Sequence, residues 1–396
     1  MKKNNLMSVL MICLLLGIGC SKEPMPEEME TCSDKIENLK INEYQTLGSH
    51  NSYRKNTQPE IVGFMNASAD LLPEGFDPAY WDYSHESLED QLNIYGLRSF
   101  ELDVYRDPVG GLFNNRVGNT FVGLDPNSGE AKLLSPGLKI LHFPDFDYHT
   151  HFFTFVDALE ALQSWSNSNP NHLPVTILIE AKEDNPATML PGFGLTSTLD
   201  FSGSATEEIE NEINMVFASD QNHILKPDDV RGSNSSLRNA ITTSGWPKLS
   251  SSRGKIMFVL MARNEVIDDY IDGYPSLSGR NMFVFTDSTK DEAAFLNIND
   301  PETNLTEIQD FIDQGFIVRT QADSDTEQAR TGNYSRMNSA FESGAQIINT
   351  DYYRPDPRSS SDANWTDYEV NFPNNKIAMI HTKVMVAENI DCFITE

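Results

Sequence analysis

The chain of 396 residues is poor in basic residues. It has 29 Lys and Arg against 59 Asp and Glu, which gives a formal net charge of -30 at pH 7. Such a surface repels polyphosphates and anionic lipid headgroups, so binding to nucleic acid through a basic patch is excluded. Any phosphate that the protein binds must therefore be held by a local cation. Apolar residues, at 39 %, are sufficient for a large core, so a wholly disordered chain is excluded too.

The glycine-rich phosphate-binding motifs are missing. No Gly-x-Gly-x-x-Gly follows the first apolar run of the folded region, and no Gly-x-x-x-x-Gly-Lys-Ser/Thr occurs anywhere. These loops bind phosphates through backbone amides at a helix N-terminus. The sequence therefore gives no support for nucleotide binding by either route.

Long hydrophobic runs are scarce. The one long run, residues 6–19, follows Lys2 and Lys3 and is too short to span a bilayer, but it suits a signal peptide. It ends in Leu-Gly-Ile-Gly before Cys20, which resembles the cleavage site of bacterial lipoproteins. We predict a lipoprotein-type signal peptide over 1–19, a polar tether over 20–40, and an exported protein anchored through lipid on Cys20. Ordinary secretion with a free Cys20 is the alternative.

Cysteine is also rare, with four residues in the chain. Cys13 belongs to the predicted signal peptide and Cys20 is the predicted lipid site. The remaining two, Cys32 and Cys392, lie at opposite ends of the folded region. In an oxidising compartment we expect a disulfide between them, with two unrelated thiols as the alternative. No Cys or His spacing indicates zinc.

Apolar runs alternate with helix-like stretches through the folded region. The predicted strands are 43–49, 97–104, 138–143, 174–181, 255–262, 281–287, 316–322 and 345–351. The predicted helices are 87–95, 154–166, 206–218, 265–272, 304–314 and 327–343. Eight strands in such alternation favour an α/β fold, a closed (β/α)8 TIM barrel. The Gly-, Pro-, Asn- and Ser-rich segments 54–86, 107–137, 185–205 and 219–254 are predicted to be loop insertions, so 41–396 forms a single domain.

Polar residues lie at the carboxyl ends of the first four predicted strands. The catalytic side chains of barrel enzymes lie at these carboxyl ends. In chain order they are His50 and Asn51, Glu101 and Asp103, His142, and Glu180 and Lys182. Residues two apart on a strand point to one face, so both acidic residues of strand two face the barrel mouth.

This set predicts a metal site with acid–base catalysis. Three carboxylates and one amide in one mouth repel each other unless a cation lies between them, and hard oxygen ligands suit Ca2+ better than zinc. Two histidines supply a proton donor and acceptor near neutral pH. The other six are interpreted as structural, because none has a matching carboxylate set at a strand end: His85, His149, His151, His172, His223 and His381.

At these residues the sequence resembles a known enzyme family. The segments GSHNSY (48–53), RSFELDVY (98–105), ILHF (140–143) and PVTILIEAK (174–182) are similar to the catalytic half of the Ca2+-dependent phosphoinositide phospholipases C. The segments VRTQADSDT (318–326) and SGAQIINTDY (343–352) resemble the second half of the bacterial branch. The resemblance covers roughly residues 41–355. The accessory lipid-binding and EF-hand modules of the animal enzymes are absent.

The resemblance implies a role for each matching residue. His50 and His142 would be the catalytic histidines. Asn51, Glu101, Asp103 and Glu180 would be the calcium ligands, and Lys182 would contact the substrate phosphate. Arg319, Asp323 and Tyr352, at the ends of strands seven and eight, could hold the inositol ring, unless Arg319 and Asp323 pair with each other instead.

The expected reaction is cleavage of a phosphatidylinositol-type lipid to diacylglycerol and inositol 1,2-cyclic phosphate, or inositol phosphate. In this scheme His142 protonates the leaving oxygen, and His50 is the base or a transition-state donor. Glu101 could be the base instead. No protein partner is inferred.

Two alternative functions are weighed against this one. A glycerophosphodiester phosphodiesterase also has Glu-x-Asp on strand two, but its first motif is His-Arg-Gly, whereas Asn51 and Ser52 follow His50 here. A surface lipoprotein that binds inositol or sugar phosphates without cleaving them is the other alternative. The acid–base pair beside the metal set disfavours it.

Overall fold

The computed structural model describes residues 30–72, 76–388 and 390–396. Residues 32–396 form one compact unit. The predicted signal peptide 1–19, Cys20 and the tether up to residue 29 lie outside the described residues. Among the described residues, no helix has both the length and the apolar character needed to cross a bilayer.

Eight parallel strands form the barrel. In order around the barrel they are β6 (Met282–Val284), β5 (Ile256–Met261), β4 (Val175–Ala181), β2 (Ser99–Tyr105), β1 (Tyr44–Ser49), β9 (Ile347–Thr350), β8 (Ile317–Gln321) and β7 (Phe295–Asn297). A parallel bridge between Phe285 and Phe295 joins the two ends. Every residue of β1 and β2 is buried, as expected for parallel strands covered on both faces. The predicted (β/α)8 class is confirmed.

One predicted barrel strand is wrong. Segment 138–143 contains only β3 (Lys139–Ile140), which pairs antiparallel with the end of β2 and lies outside the barrel order. The missing barrel strand is β7, which was not predicted because three residues are too few for a periodic signal. His142 therefore lies in the connection from β2 to β4 and not at the end of a barrel strand.

Helices cover the barrel and also interrupt the long loops. They are α1 (Cys32–Asn38), α2 (Pro59–Ala67), α3 (Leu88–Asn93), α4 (Gly118–Phe121), α5 (Phe155–Ser168), α6 (Pro186–Met189), α7 (Glu207–Val216), α8 (Pro227–Arg231), α9 (Leu237–Thr243), α10 (Leu249–Ser252), α11 (Asn264–Ile271), α12 (Leu305–Asp313), α13 (Glu327–Thr331), α14 (Ser335–Ser343) and α15 (Thr382–Ala387). The single helix predicted over 327–343 is two helices, because Gly332 adopts a left-handed conformation with φ of 66° and ends α13. Segment 219–254, predicted as loop, contains α8, α9 and α10.

The two chain ends of the barrel domain are joined. Helix α1 lies within the segment predicted as a tether, so the folded region begins before residue 41. A disulfide links Cys32 to Cys392 across 360 residues, which confirms the predicted pairing. A short strand, β10 (Ala378–Ile380), also pairs antiparallel with β1. The terminal segments thus pack against the barrel.

Candidate active site

Three acidic side chains meet at the carboxyl end of the barrel. Glu101 and Asp103 lie on β2, and Glu180 lies beside Asp103 on the neighbouring β4. One carboxylate oxygen from each lies within 4.8 Å of the others. The alternation of side chains along β2 brings Glu101 and Asp103 to the same face, as the sequence predicts. These residues form the acidic cluster of the site.

The acidic cluster contains buried oxygens without hydrogen-bond donors. Neither oxygen of Asp103 has a hydrogen-bond partner of good geometry, and Oδ1 of Asn51 has none either. The amide of Asn51 is fixed because its Nδ2 donates to the hydroxyl of Tyr83 at 2.9 Å. Burial and the negative charge of Glu180 raise the pKa of Asp103 well above its usual range. Buried oxygen atoms in this state fit a bound cation, and hard oxygen donors suit Ca2+.

Lys182 lies beside the acidic cluster and partly balances its charge. Its Nζ is 3.5 Å from Oδ2 of Asp103, 3.4 Å from Oε1 of Glu180 and 3.0 Å from Oδ2 of Asp184. Burial alone would lower the pKa of Lys182, but these carboxylates outweigh it and raise the pKa. Lys182 therefore contacts two of the three carboxylates of the acidic cluster.

His50 is held between two carboxylates. Its Nδ1 donates to Oδ1 of Asp351 at 3.1 Å, and its Nε2 lies 3.6 Å from Oε1 of Glu101. Burial alone would lower the pKa of His50, but Asp351 and Glu101 raise it to about 9. In the metal-free protein His50 is therefore a cation at neutral pH, with Nε2–H directed toward the acidic cluster.

His142, unlike His50, is uncharged at neutral pH. Its Nδ1 donates to Oδ2 of Asp147 at 2.7 Å. The same carboxylate accepts hydrogen bonds from Arg54 Nε at 2.6 Å and Thr57 Oγ1 at 2.7 Å. Burial lowers the pKa of His142 to about 4, because Asp147 compensates only in part while Arg54 and Lys182 oppose a second proton. The neutral imidazole leaves Nε2 as a free acceptor.

The histidines interpreted as structural do not all lie far from the site. His85 donates from Nε2 to the backbone oxygen of His50 at 2.6 Å, and the same nitrogen lies 3.6 Å from Asp351. It therefore supports the backbone and the carboxylate that fix His50. His149 and His151 contact backbone oxygens of Asn56 and His85.

Arg319 and Tyr352 are placed differently from the expected ring contacts. Arg319 is 2 % exposed and donates to Oε2 of Glu101 at 2.7 Å. Asp323 instead accepts from the backbone of Asp351 at 2.8 Å, so the alternative pairing of Arg319 with Asp323 is not formed. Tyr352 is also 2 % exposed and packs against Trp365 and Tyr368.

Sequence reasoning missed the carboxylates that orient the two histidines. Asp147 follows His142 by five residues, within a loop whose path the sequence does not show. Asp351 is 301 residues from His50 in the chain, although it is the last residue of predicted strand eight. An acidic residue immediately after the last barrel strand was the available signal, since the ends of β1 and β9 are adjacent.

A barrel whose mouth combines an acidic oxygen cluster with two carboxylate-paired histidines defines a class of enzymes that use a metal ion and acid–base groups. The sequence matches the model of the family described as phosphoinositide phospholipase C, Ca2+-dependent, over residues 39–381. The chain belongs to this family. It is therefore a phosphodiesterase of the phosphatidylinositol-specific phospholipase C type with Ca2+ as its cofactor, and the acidic cluster is the group that could bind the ion.

Two solved structures are similar to the chain at low sequence identity. A calcium-dependent phosphoinositol-specific phospholipase C from Pseudomonas sp., in complex with myo-inositol, is 14 % identical with a TM-score of 0.50, covering 87 % of this chain and 96 % of its own. A Ca2+-dependent phosphatidylinositol-specific phospholipase C from Streptomyces antibioticus is 13 % identical with a TM-score of 0.47, covering 80 % and 95 %. No curated protein sequence matches the chain significantly.

Proposed function

We propose that this protein cleaves phosphatidylinositol-type lipids to diacylglycerol and inositol 1,2-cyclic phosphate, with inositol phosphate as the later product. The observation that carries the proposal is the acidic cluster at the barrel mouth, in which both oxygens of Asp103 lack a hydrogen bond and Glu101 lies 3.6 Å from His50. The myo-inositol complex of the Pseudomonas enzyme supports an inositol-containing substrate.

The proposed calcium ligands are Asn51, Glu101, Asp103 and Glu180. When bound, calcium would lower the pKa of the inositol hydroxyl and neutralise negative charge that develops on phosphorus. Arg319 holds Glu101 by a charge-assisted hydrogen bond and so would position that ligand. Lys182, already oriented by Asp103 and Glu180, would contact the substrate phosphate. A contact between Tyr352 and the inositol ring stays a prediction, and burial of the Tyr352 side chain does not favour it.

His50 is proposed as the donor to the phosphate. Asp351 and Glu101 raise its pKa to about 9, which favours a protonated imidazole that donates a hydrogen bond. The proton of the inositol hydroxyl then goes to a carboxylate of the acidic cluster, for which we propose Glu101. His85 and Asp351 would act as positioning residues, because they fix the backbone and Nδ1 of His50.

His142 is proposed to protonate the departing diacylglycerol oxygen. The carboxylate of Asp147 holds Nδ1, which leaves Nε2 to exchange the proton. Without substrate the pKa of the His142 side chain is about 4, so His142 needs the negative charge of a bound diester to become protonated. Acid and base catalysis of this kind contributes about 10²–10⁴-fold in rate.

The proposed function is tested by turnover of phosphatidylinositol and glycerophosphoinositol, each with Ca2+ and with EGTA. We expect calcium-dependent release of diacylglycerol from phosphatidylinositol. Release of glycerol 3-phosphate and free inositol from glycerophosphoinositol would indicate the glycerophosphodiester phosphodiesterase instead. Binding of inositol phosphate without turnover of either diester would indicate the non-catalytic alternative.

The role of His142 is tested by changing the leaving group. Diacylglycerol leaves as an alkoxide of high pKa and needs a proton, whereas a nitrophenol hardly does. His142→Ala should therefore lose roughly 10²–10⁴-fold in kcat/KM on phosphatidylinositol and recover most of it on a nitrophenyl ester of inositol phosphate. His50→Ala should be impaired on both substrates. Equal losses of His142→Ala on the two substrates would show that it is not the acid.

We also propose that the protein is exported and anchored through Cys20. The proposal rests on the sequence of residues 1–20 and on the disulfide, which is typical of an oxidising compartment. Mass spectrometry of the mature N-terminus tests it, with a diacylated Cys20 as the expected result and an unmodified or uncleaved N-terminus as the contrary one.

A further inference from the structure

An apolar cavity lies directly beside His142. It is lined by six phenylalanines, two methionines, two leucines, Trp81 and Ser68, and its volume is about 80 Å³. That is several times the space that one buried water occupies. No charged residue is among the described residues that line it, in a chain with 59 acidic residues. The cavity therefore suits an uncharged apolar group.

Three loops at the mouth of the barrel build this cavity. Phe64 and Trp81 come from the connection after β1, Phe121 and Phe143 from the connection between β2 and β4, and Phe193 from the loop after β4. The sequence predicts these segments only as loop insertions. Their positions after successive barrel strands place the cavity at the catalytic end of the barrel.

The cavity borders His142 through Trp81 and Phe143. The ring of Trp81 lies edge-on to the imidazole of His142 at 5.2 Å and contacts the ring of Phe143 at 5.4 Å. Phe143 is the residue after His142 in the chain. A group bound in the cavity would therefore lie next to residues that pack against His142.

The aromatic rings of the cavity pack against a small hydrophobic cluster that is separate from the main core, but several of them stay partly exposed. Phe64, Phe121 and Phe143 are only partly buried, and Phe193 is 42 % exposed. Exposed aromatic area is unfavourable, so rings that border open space are available to contact an apolar ligand. A lining of partly exposed rings around open space is typical of a binding pocket.

We propose that this cavity binds the first part of an acyl chain of the substrate's diacylglycerol group. The inference rests on the proposed function, because it takes His142 as the group that faces the leaving oxygen. The chain as a whole carries a net charge of -30, which opposes docking on an anionic membrane by charge, so recognition of a lipid requires apolar contacts. The small volume admits a short run of methylene groups rather than a whole chain.

The test is the chain-length dependence of kcat/KM on monomeric substrates, below their aggregation limit. The series is glycerophosphoinositol, dibutanoyl- and dihexanoylphosphatidylinositol. Each methylene group buried in the cavity should raise kcat/KM about fourfold. Ser68→Phe, which fills the cavity, and Phe193→Ser, which opens its rim, should flatten this dependence and leave glycerophosphoinositol turnover unchanged. Phe393→Ser is the matched control, because Phe393 is 59 % exposed and outside the cavity.

Three outcomes would overturn the proposal. One is equal chain-length dependence in the wild type and both cavity variants. Another is a loss in the variants on vesicles but not on monomers, which would place the lipid contact at the membrane surface. The third is the absence of Trp81 quenching by a brominated short-chain diacylglycerol. Quenching without turnover of any inositol diester would instead support the cavity and contradict the proposed function.

Discussion

At the scale of single residues, the site is defined by side chains held in unusual charge states. Asp103 is buried with two unpartnered oxygens, and His50 and His142 have pKa values displaced in opposite directions. These states follow from burial combined with particular neighbours and not from residue type. Each can be tested by removing one neighbour or one charge.

Asp103→Asn tests the calcium site. In EGTA the variant should be at least as stable as the wild type, because it removes one charge from a repelling cluster. With Ca2+ at about 100 times its Kd, the wild type should gain about 2.7 kcal/mol of unfolding free energy and the variant much less. Calorimetric melting with and without Ca2+ measures both effects.

Asp184→Asn is the matched control for this variant. Asp184 also contacts Lys182, but its side chain is 45 % exposed and lies outside the acidic cluster. Its calcium-induced stabilisation should equal that of the wild type. An equal calcium response in Asp103→Asn and the wild type would contradict the ligand assignment.

The pKa of His50 predicts a pH dependence of stability in EGTA. The folded-state pKa of about 9 lies above the unfolded value of about 6.5, so protonated His50 stabilises the folded protein fully below pH 6.5. That contribution is lost as the pH rises to 9 and amounts to about 3 kcal/mol. Urea unfolding at pH 6 and pH 9.5 should show this loss in the wild type but not in His50→Gln. The same pH dependence in both proteins would refute the ionisation of His50.

The sequence could predict the acidic cluster but not the groups that orient the histidines. Glu101 and Asp103 are two residues apart on one strand, so their common direction follows from strand geometry. Asp351 reaches His50 from 301 residues away, and Asp147 reaches His142 through the shape of a loop. Such contacts depend on strand order and loop path, which a single sequence does not record.

At the scale of secondary-structure elements, the site depends on the connection between β2 and β4. This connection carries β3, His142 and Asp147, and it is tied to the loop after β1 through Arg54. The long continuous apolar runs of β4 and β5 were predictable, whereas β7 has only three residues. Segment 138–143 has the composition of a strand but is excluded from the barrel because β4 pairs with β2.

Arg54→Met tests the link between the two loops. Arg54 and Asp147 are both fully buried, so loss of the guanidinium leaves a carboxylate with fewer partners and should lower stability by about 3–5 kcal/mol. The pKa of His142 should rise, because Arg54 opposes its protonation. Urea unfolding and NMR titration of His142 measure the two effects.

Lys132→Met serves as the control for Arg54→Met. Lys132 pairs with Asp157 at the surface, and its side chain is 59 % exposed. Loss of that exposed pair should cost about 0–1 kcal/mol. Similar destabilisation by both substitutions, or a fall in the pKa of His142 in Arg54→Met, would contradict the proposed role of Arg54.

At the scale of the whole molecule, one disulfide joins the two ends of the barrel domain. The bond between Cys32 and Cys392 closes a loop across 360 residues, so the entropic model gives a stabilisation of up to about 5 kcal/mol. Cys32→Ser with Cys392→Ser should unfold at lower denaturant concentration than the wild type. Peptide mapping without reductant should recover the cross-linked pair, and two free thiols in exported protein would refute the bond in the mature enzyme.

The charge of the molecule, the barrel and the acidic cluster together lead to one central claim, which is calcium-dependent cleavage of an inositol phosphodiester by the inositol's own hydroxyl. The most direct measurement is a ³¹P NMR time course of phosphatidylinositol with the enzyme and Ca2+. We predict that inositol 1,2-cyclic phosphate accumulates first, that inositol phosphate follows it, and that neither forms in EGTA. Inositol phosphate as the first product, or the same time course in EGTA, would contradict the account.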